Sequence, residues 1–88
     1  MTPSLARRAR LKWDPSRDAH VLLYPEGVLV LNDQAADVIA LVDGARTVDG
    51  IVDALAIEHP DAPRGDLDAD VRELLERLVQ RGFVKVEP

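Results

Sequence analysis

The sequence predicts an α+β fold in which a three-stranded antiparallel sheet is followed by three helices. Up to residue 31, apolar residues alternate with polar ones or form short aliphatic runs, whereas from there to residue 81 they recur at helical spacing. Residues that form turns or end helices separate these stretches. The chain has 88 residues, of which 47% are hydrophobic, so we expect one domain with a thin core.

The strands come first. Residues 11–13 alternate apolar and polar side chains and precede a turn-forming cluster at 14–17, which predicts a short first strand. Two aliphatic runs, at residues 20–24 and 28–31, flank the sequence Tyr24-Pro25-Glu26-Gly27. Proline at the second position and glycine at the fourth suit a type I turn, so the two runs predict a β-hairpin.

Two helices follow the hairpin. Asn32 or Asp33 can cap the first helix, whose apolar positions continue at helical spacing until Gly44. Thr47 repeats the capping pattern for a second helix, which ends before Pro60.

A third helix is predicted over residues 67–81, after a loop rich in proline and glycine. Asp66 or Asp68 can cap its start, and Gly82 ends it. Residues 83–86 alternate again and predict one last short strand. With connections this short, the economical packing places the small sheet beside a three-helix cluster, as in a winged helix-turn-helix domain.

The charge of the chain is unevenly distributed. Residues 1–12 contain four basic side chains and no acid, whereas the remaining 76 residues hold seven bases and sixteen acids. We expect residues 1–9 to form a flexible basic N-terminal arm and residues 10–88 to form the single domain. The acidic domain should be repelled by phosphate backbones, which argues against a nucleic-acid partner.

Composition also limits the compartment and the chemistry. The chain has no cysteine, which excludes disulfides and thiolate chemistry. Its longest apolar stretch, residues 38–42, spans five residues, far below the roughly 20 of a membrane helix, and no signal-peptide pattern opens the sequence. The expectation is therefore a cytoplasmic protein without a membrane segment.

Candidate catalytic and metal-binding residues are weak. His20 and His59 do not share a spacing that would aim two imidazoles at one metal, and Ser4 and Ser16 have no histidine beside them. We therefore expect no catalytic residue, no metal and no cofactor.

Two further patterns resemble a calcium-binding loop and a DNA-binding helix, but neither has the residues that these functions require. Asp66, Asp68 and Asp70 resemble the start of a calcium loop, but the sixth position is Val71 and the twelfth is Arg77. A groove-reading helix in a winged-helix domain should be basic, whereas residues 66–82 carry three bases and five acids.

What remains is a candidate binding surface. Residues 28–31 are apolar on both faces of the predicted third strand, and the apolar stripe of the third helix is about 140° wide, from Leu74 round to Val79. Leu75 and Val79 lie toward one flank of that stripe, beside Arg72. We expect one edge of the strand and this flank to form a groove to which an extended peptide adds as another strand.

Several short motifs resemble those of the PqqD family of pyrroloquinoline quinone (PQQ) biosynthesis. They are Leu22 to Gly27, then Leu31-Asn32, Asp43-Gly44, Arg46-Thr47-Val48, Asp70-Val71 and Arg81-Gly82. The resemblance spans roughly residues 5–84, and its most specific part is the spacing of the first three motifs.

The resemblance implies a peptide-recognition domain that acts as a chaperone and is not an enzyme. Such a protein binds the ribosomal precursor peptide PqqA and presents it to the radical S-adenosylmethionine enzyme PqqE. Relatives bind leader peptides along the third strand and third helix, and the matching positions here are Val28, Leu29, Val30, Leu31, Arg72, Leu75 and Val79.

Alternatives remain open at this point. The domain could recognise the peptide of another modified-peptide pathway, or it could be a winged-helix nucleic-acid binder; catalysis ranks last. A homodimer is also open, because an exposed apolar strand can pair with a second copy.

Overall fold

The computed structural model describes residues 2–87, so Met1 and Pro88, the ends of the predicted arm and domain, lie outside it. The fold is α+β, as the sequence predicts, with two antiparallel sheets and three helices. In chain order the elements are β1 (Thr2–Leu5), β2 (Arg10–Asp14), β3 (Ala19–Tyr24), β4 (Gly27–Val30), α1 (Asp33–Ala40), α2 (Val48–Glu58), α3 (Arg64–Gln80) and β5 (Val84–Glu87).

The predicted three-stranded sheet is confirmed, with the strand order β2-β3-β4. Tyr24 pairs with Gly27, so Pro25 and Glu26 alone connect β3 to β4. Leu22 lies opposite Leu11 on one side and Leu29 on the other, which places these three leucines on one face of the sheet. Leu22 is fully buried, and this inner face packs against the helices.

The N-terminal segment differs from the predicted arm. Thr2–Leu5 forms a strand that pairs with β5 in a separate two-stranded sheet, and the Ala6 amide donates to the Phe83 carbonyl at 2.8 Å. Pro3 and Ala9 are buried. The sequence does not alternate here and therefore gives no local signal of a strand. Pairing with the distant strand β5 and packing order this segment.

The first two helices begin where the sequence predicts. Asn32 Oδ1 accepts from the Ala35 amide at 2.8 Å, and the Thr47 hydroxyl accepts from the Gly50 amide at 3.0 Å. However, α1 ends at Ala40, before the predicted end at Gly44.

The early end of α1 follows from the unexpected first strand. Asp43 forms a β-bridge with Ser4, and the Gly44 amide donates to the Pro3 carbonyl at 3.1 Å. Gly44 adopts φ +79°, a conformation that glycine accepts without strain. The Asp43 carboxylate accepts from the Arg46 and Ala45 amides, and these bonds lower the pKa of Asp43. The backbone that would continue α1 is therefore engaged elsewhere.

The third helix starts three residues earlier than predicted, and neither Asp66 nor Asp68 caps it. Pro63 occupies the cap position without a side-chain hydrogen bond, and its carbonyl accepts from the amides of Asp66 and Leu67. The fixed φ of proline suits a helix start, and its missing N–H leaves no donor unsatisfied there.

One apolar core connects all three helices with both sheets. Its fully buried side chains include Leu22 from β3, Ile39 from α1, Ile51 from α2 and Val71 from α3. Among the helices of residues 2–87, none has the length and apolar character needed to cross a membrane.

Candidate functional site: the β4 edge and the flanks of α3

Strand β4 has an open edge. Within residues 2–87 it pairs only with β3, at the opposite side of the sheet from β2. The Leu31 amide donates to the His20 carbonyl at 3.0 Å, and antiparallel neighbours alternate between bonded and non-bonded pairs. Leu29 therefore directs its backbone groups toward β3, whereas Val28 and Val30 direct theirs away from it. These two residues leave two N–H and two C=O groups for an added strand.

The side chains of the predicted strand residues lie in three different environments. Val28 and Val30 are exposed, and 54% of Val30 is accessible. Leu29 is half-buried against the core, and Leu31, just past the end of β4, is buried. An added peptide could therefore contact Val28, Leu29 and Val30, whereas Leu31 serves the core.

Arg72, Leu75 and Val79 are brought together in one groove. It has a volume of about 310 Å³ and lies between α3, Val48 of α2 and Val86 of β5. Val79 is 40% exposed, whereas Leu75 is only 4% exposed and belongs to the core. Leu75 thus forms the floor of this groove, and Val79 forms part of its wall.

Arg72 lines this groove and contacts two carboxylates. Its Nε donates to Asp68 Oδ1 at 2.7 Å, and its Nη2 donates to Asp49 Oδ1 at 2.8 Å. The hydrogen bond that Arg72 donates to Asp68 is the main cause that raises the pKa of Arg72, with a smaller contribution from Asp49. Arg72 therefore remains charged and connects α3 to the first turn of α2.

The residues that flank β4 on either side share cavities with the other flank of α3. Asn32, just past the end of β4, shares a cavity of about 190 Å³ with α3 residues that include Leu74 and Arg77. At the other end of β4, the β3–β4 turn shares a cavity of about 420 Å³ with residues that include Arg81. Leu74 is half-buried against the core. The residues just beyond the two ends of β4 therefore share cavities with the side of α3 that carries Leu74 and Arg77 and with Arg81 just past its end.

In the cavities described above, the predicted residues of β4 do not occur together with those of α3. The wide apolar stripe of α3 has two flanks, and the predicted residues Arg72 and Val79 lie on the flank that faces α2 and β5. Leu74 lies at the opposite limit of the same stripe. Its apolar side chain is the feature of the sequence that indicates the second flank.

A cluster of possible metal ligands lies at a separate cavity. Ligand atoms of Asp37, Glu58 and His59 come within 4.8 Å of one another, at the junction of α1 and the end of α2. All three side chains are exposed, and His59 Nε2 lies 3.9 Å from Asp37 Oδ2. Sequence spacing did not indicate this cluster, because its members come from separate helices.

Comparison with known proteins places this arrangement in a family. The sequence model of the family described as "Coenzyme PQQ synthesis protein D (PqqD)" matches residues 19–84. A PqqA binding protein of Stutzerimonas stutzeri (strain A1501) is 42% identical over 84 residues, which cover 96% of this chain and 89% of that protein. A PqqA binding protein of Pseudomonas aeruginosa (strain UCBPP-PA14) is 46% identical over 74 residues, or 84% of this chain and 78% of that protein.

Solved structures agree. The PqqD part of Methylobacterium extorquens PqqCD, described as a stand-alone recognition element for ribosomally synthesized, post-translationally modified peptides, has a TM-score of 0.80. It is 38% identical, and the match covers 96% of this chain and 88% of that one. TbiB1, solved in complex with the TbiA(β) leader peptide, shares the fold with a TM-score of 0.79 at 20% identity, over 97% of this chain and 98% of that one. The chain therefore belongs to the PqqD family.

Proposed function

We propose that this protein binds the precursor peptide PqqA by strand addition to β4 and presents it to PqqE. The observation that carries the proposal is the open edge of β4, where Val28 and Val30 direct unpaired backbone groups outward. The names of the relatives support the identity of the peptide, since proteins 42% and 46% identical are called PqqA binding proteins.

The energetics require more than the strand edge. Four main-chain hydrogen bonds at about 1 kcal/mol each supply about 4 kcal/mol, whereas micromolar affinity needs about 8 kcal/mol after the cost of ordering the peptide. Two or three aliphatic side chains, at about 1.5–3 kcal/mol each, must therefore be buried beside the edge. We expect a Kd in the micromolar or submicromolar range.

The flank with Leu74 is the groove that we favour for these side chains. Asn32, just past the end of β4, shares a cavity with Leu74, which supports the proposal that a strand added to β4 places every second side chain toward this flank of α3. The sequence-predicted set of Arg72, Leu75 and Val79 remains the competing proposal, with its groove between α3 and β5.

Two matched variants separate the grooves. Leu74→Ser should raise the Kd for PqqA about tenfold, and Val79→Ser should leave it within about twofold. Circular dichroism and thermal unfolding should establish that both variants fold. The opposite order of effects would assign peptide binding to the flank with Arg72 and Val79.

The presentation step rests on tethering. We infer no catalytic role for this chain, whose contribution is to raise the effective concentration of PqqA near PqqE. PqqE should modify PqqA faster when the wild-type protein is present, and a variant that no longer binds PqqA should give no increase. Turnover of PqqA by the purified protein alone would contradict this proposal.

A recognition element of another peptide pathway is the main alternative. It is favoured by the fold shared with TbiB1, which is known in complex with a leader peptide. The decisive experiment is a calorimetric titration of PqqA, followed by competition with the TbiA(β) leader. PqqA should bind at least tenfold more tightly, and a reversed preference would support the alternative.

Nucleic-acid binding is the weaker alternative. Helix α3 carries Asp66, Asp68, Asp70, Glu73 and Glu76 against three arginines, so it is acidic where a groove-reading helix is basic. The protein should not bind duplex DNA at low salt, where electrostatic binding to DNA is strongest.

A further inference from the structure

The β2-β3-β4 sheet has a second apolar face, opposite the helices. The outer face includes Arg10, Lys12 and Asp14 from β2, Ala19, Val21 and Leu23 from β3, and Val28 and Val30 from β4. The strand register places Lys12, Val21 and Val30 in one row across the sheet, with Arg10, Leu23 and Val28 in the next. None of these side chains belongs to the core cluster among the described residues.

The outer face is more apolar than a solvent-facing sheet surface normally is. Antiparallel sheets with one wet face usually alternate apolar and polar residues along each strand, whereas β3 and β4 are aliphatic on both faces. Val21 is only 2% exposed although it lies outside the core cluster. A shallow depression of about 200 Å³ opens here, and its lining includes Lys12, Val21 and Leu23.

The β2 side of the outer face is basic in a chain with a net charge of −5. Arg10 and Lys12 are both exposed. Asp14 is the only acid at the strand positions of this face, and its carboxylate contacts Arg17 Nη1 at 2.6 Å. The surface therefore complements a protein patch whose apolar side chains are bordered by carboxylates.

The outer face is continuous with the proposed peptide site. A peptide that adds to β4 becomes the next strand, and every second side chain of that peptide extends the outer face beyond Val28 and Val30. A protein docked on this face would therefore contact the bound peptide and its carrier together.

We propose that the outer face of the β2-β3-β4 sheet is the docking surface for the enzyme that modifies the bound peptide. That enzyme meets it with an apolar patch bordered by acidic side chains. This inference rests on the proposed function, so peptide binding and enzyme binding must be measured separately.

The charge is tested with the double variant Arg10→Glu/Lys12→Glu. These residues lie on β2, across the sheet from the edge that receives the peptide, so the Kd for PqqA should stay within twofold of wild type. The affinity of PqqE for the complex of protein and peptide should fall at least tenfold at low salt. It should also lose most of its salt dependence. Lys85→Glu, at an exposed position of β5, is the matched control and should change neither affinity.

The apolar part is tested with Leu23→Thr, which keeps a residue suited to a strand. PqqE affinity should fall at least fivefold, while Ile57→Thr, at an 81% exposed site on α2, should have no effect. Retained PqqE affinity in both outer-face variants, with PqqA still bound, would overturn this inference and leave the peptide proposal intact. If the wild-type protein does not bind PqqA, the proposed function is overturned instead. Concentration-dependent sedimentation that Leu23→Thr abolishes would assign the face to a second copy of the chain and would also overturn the inference.

Discussion

Replacing Val30 with proline tests strand addition at a single backbone group. The Val30 N–H points to the open edge of β4, so Val30→Pro should remove a donor to the peptide without removing a hydrogen bond to β3. Loss of that bond costs about 1 kcal/mol, and the proline ring leaves the opposing peptide carbonyl without a partner, which brings the total to about 2 kcal/mol. The Kd for PqqA should therefore rise about 30-fold.

The matched control is Leu29→Pro, one residue earlier on the same strand. The Leu29 N–H points toward Leu22 in the sheet, so this change should destabilise the fold by about 3 kcal/mol or more. Val30→Ala, which keeps the N–H, separates the loss of the valine side chain from the loss of the donor. Calorimetry gives the Kd, and thermal unfolding gives the stability. A folded Val30→Pro protein that binds PqqA no more weakly than Val30→Ala would refute the reasoning.

Three further predictions concern the fold around the site. Thr47→Ala should lower the free energy of unfolding by about 1 kcal/mol in a denaturant titration, because the hydroxyl that caps α2 is lost; Thr47→Ser should restore most of it. Leu75→Asp should cost about 3–5 kcal/mol of stability, since Leu75 is buried in the core, and a fully stable variant would contradict this placement. The Ser16 hydroxyl, followed by Arg17, lowers the pKa of Asp14 from 3.8 to about 2, so the stability linked to this carboxylate is present above pH 3.8 and lost as the pH falls through about 2. In an NMR titration Ser16→Ala should raise the Asp14 pKa, and an unchanged value would exclude the hydroxyl as the main cause.

Local signals in the sequence predict most of the fold. The β3–β4 hairpin follows from Pro25 and Gly27 between aliphatic runs, and the caps at Asn32 and Thr47 follow from side chains that reach amides three residues away. Each of these features depends on neighbours in sequence, which explains why pattern analysis finds them.

The missed features depend on contacts between distant residues. Strand β1 has no alternating pattern and pairs with β5 at the other end of the chain. The same strand engages Asp43 and Gly44, so α1 ends earlier than its apolar spacing indicates. Local propensity cannot reveal either effect.

In the candidate site, too, one part follows from local sequence and the other depends on tertiary packing. Residues 28–31 are apolar on both faces, which correctly indicated an unusual strand, and β4 proves to have an open edge within the described chain. The flank of α3 that lies beside that edge depends on how the helix packs. A helical wheel offers Leu74 on one side and Val79 on the other, and only the tertiary structure shows which elements line the cavity next to each of them.

Hydrogen exchange of individual backbone amides, followed by NMR with and without PqqA, tests the central claim most directly. In the free protein the amides of Leu29 and Leu31 should already be protected by β3, whereas those of Val28 and Val30 should exchange rapidly. Saturating PqqA should slow exchange at Val28 and Val30 by at least tenfold. Unchanged exchange at both residues in a fully bound sample would contradict strand addition to β4.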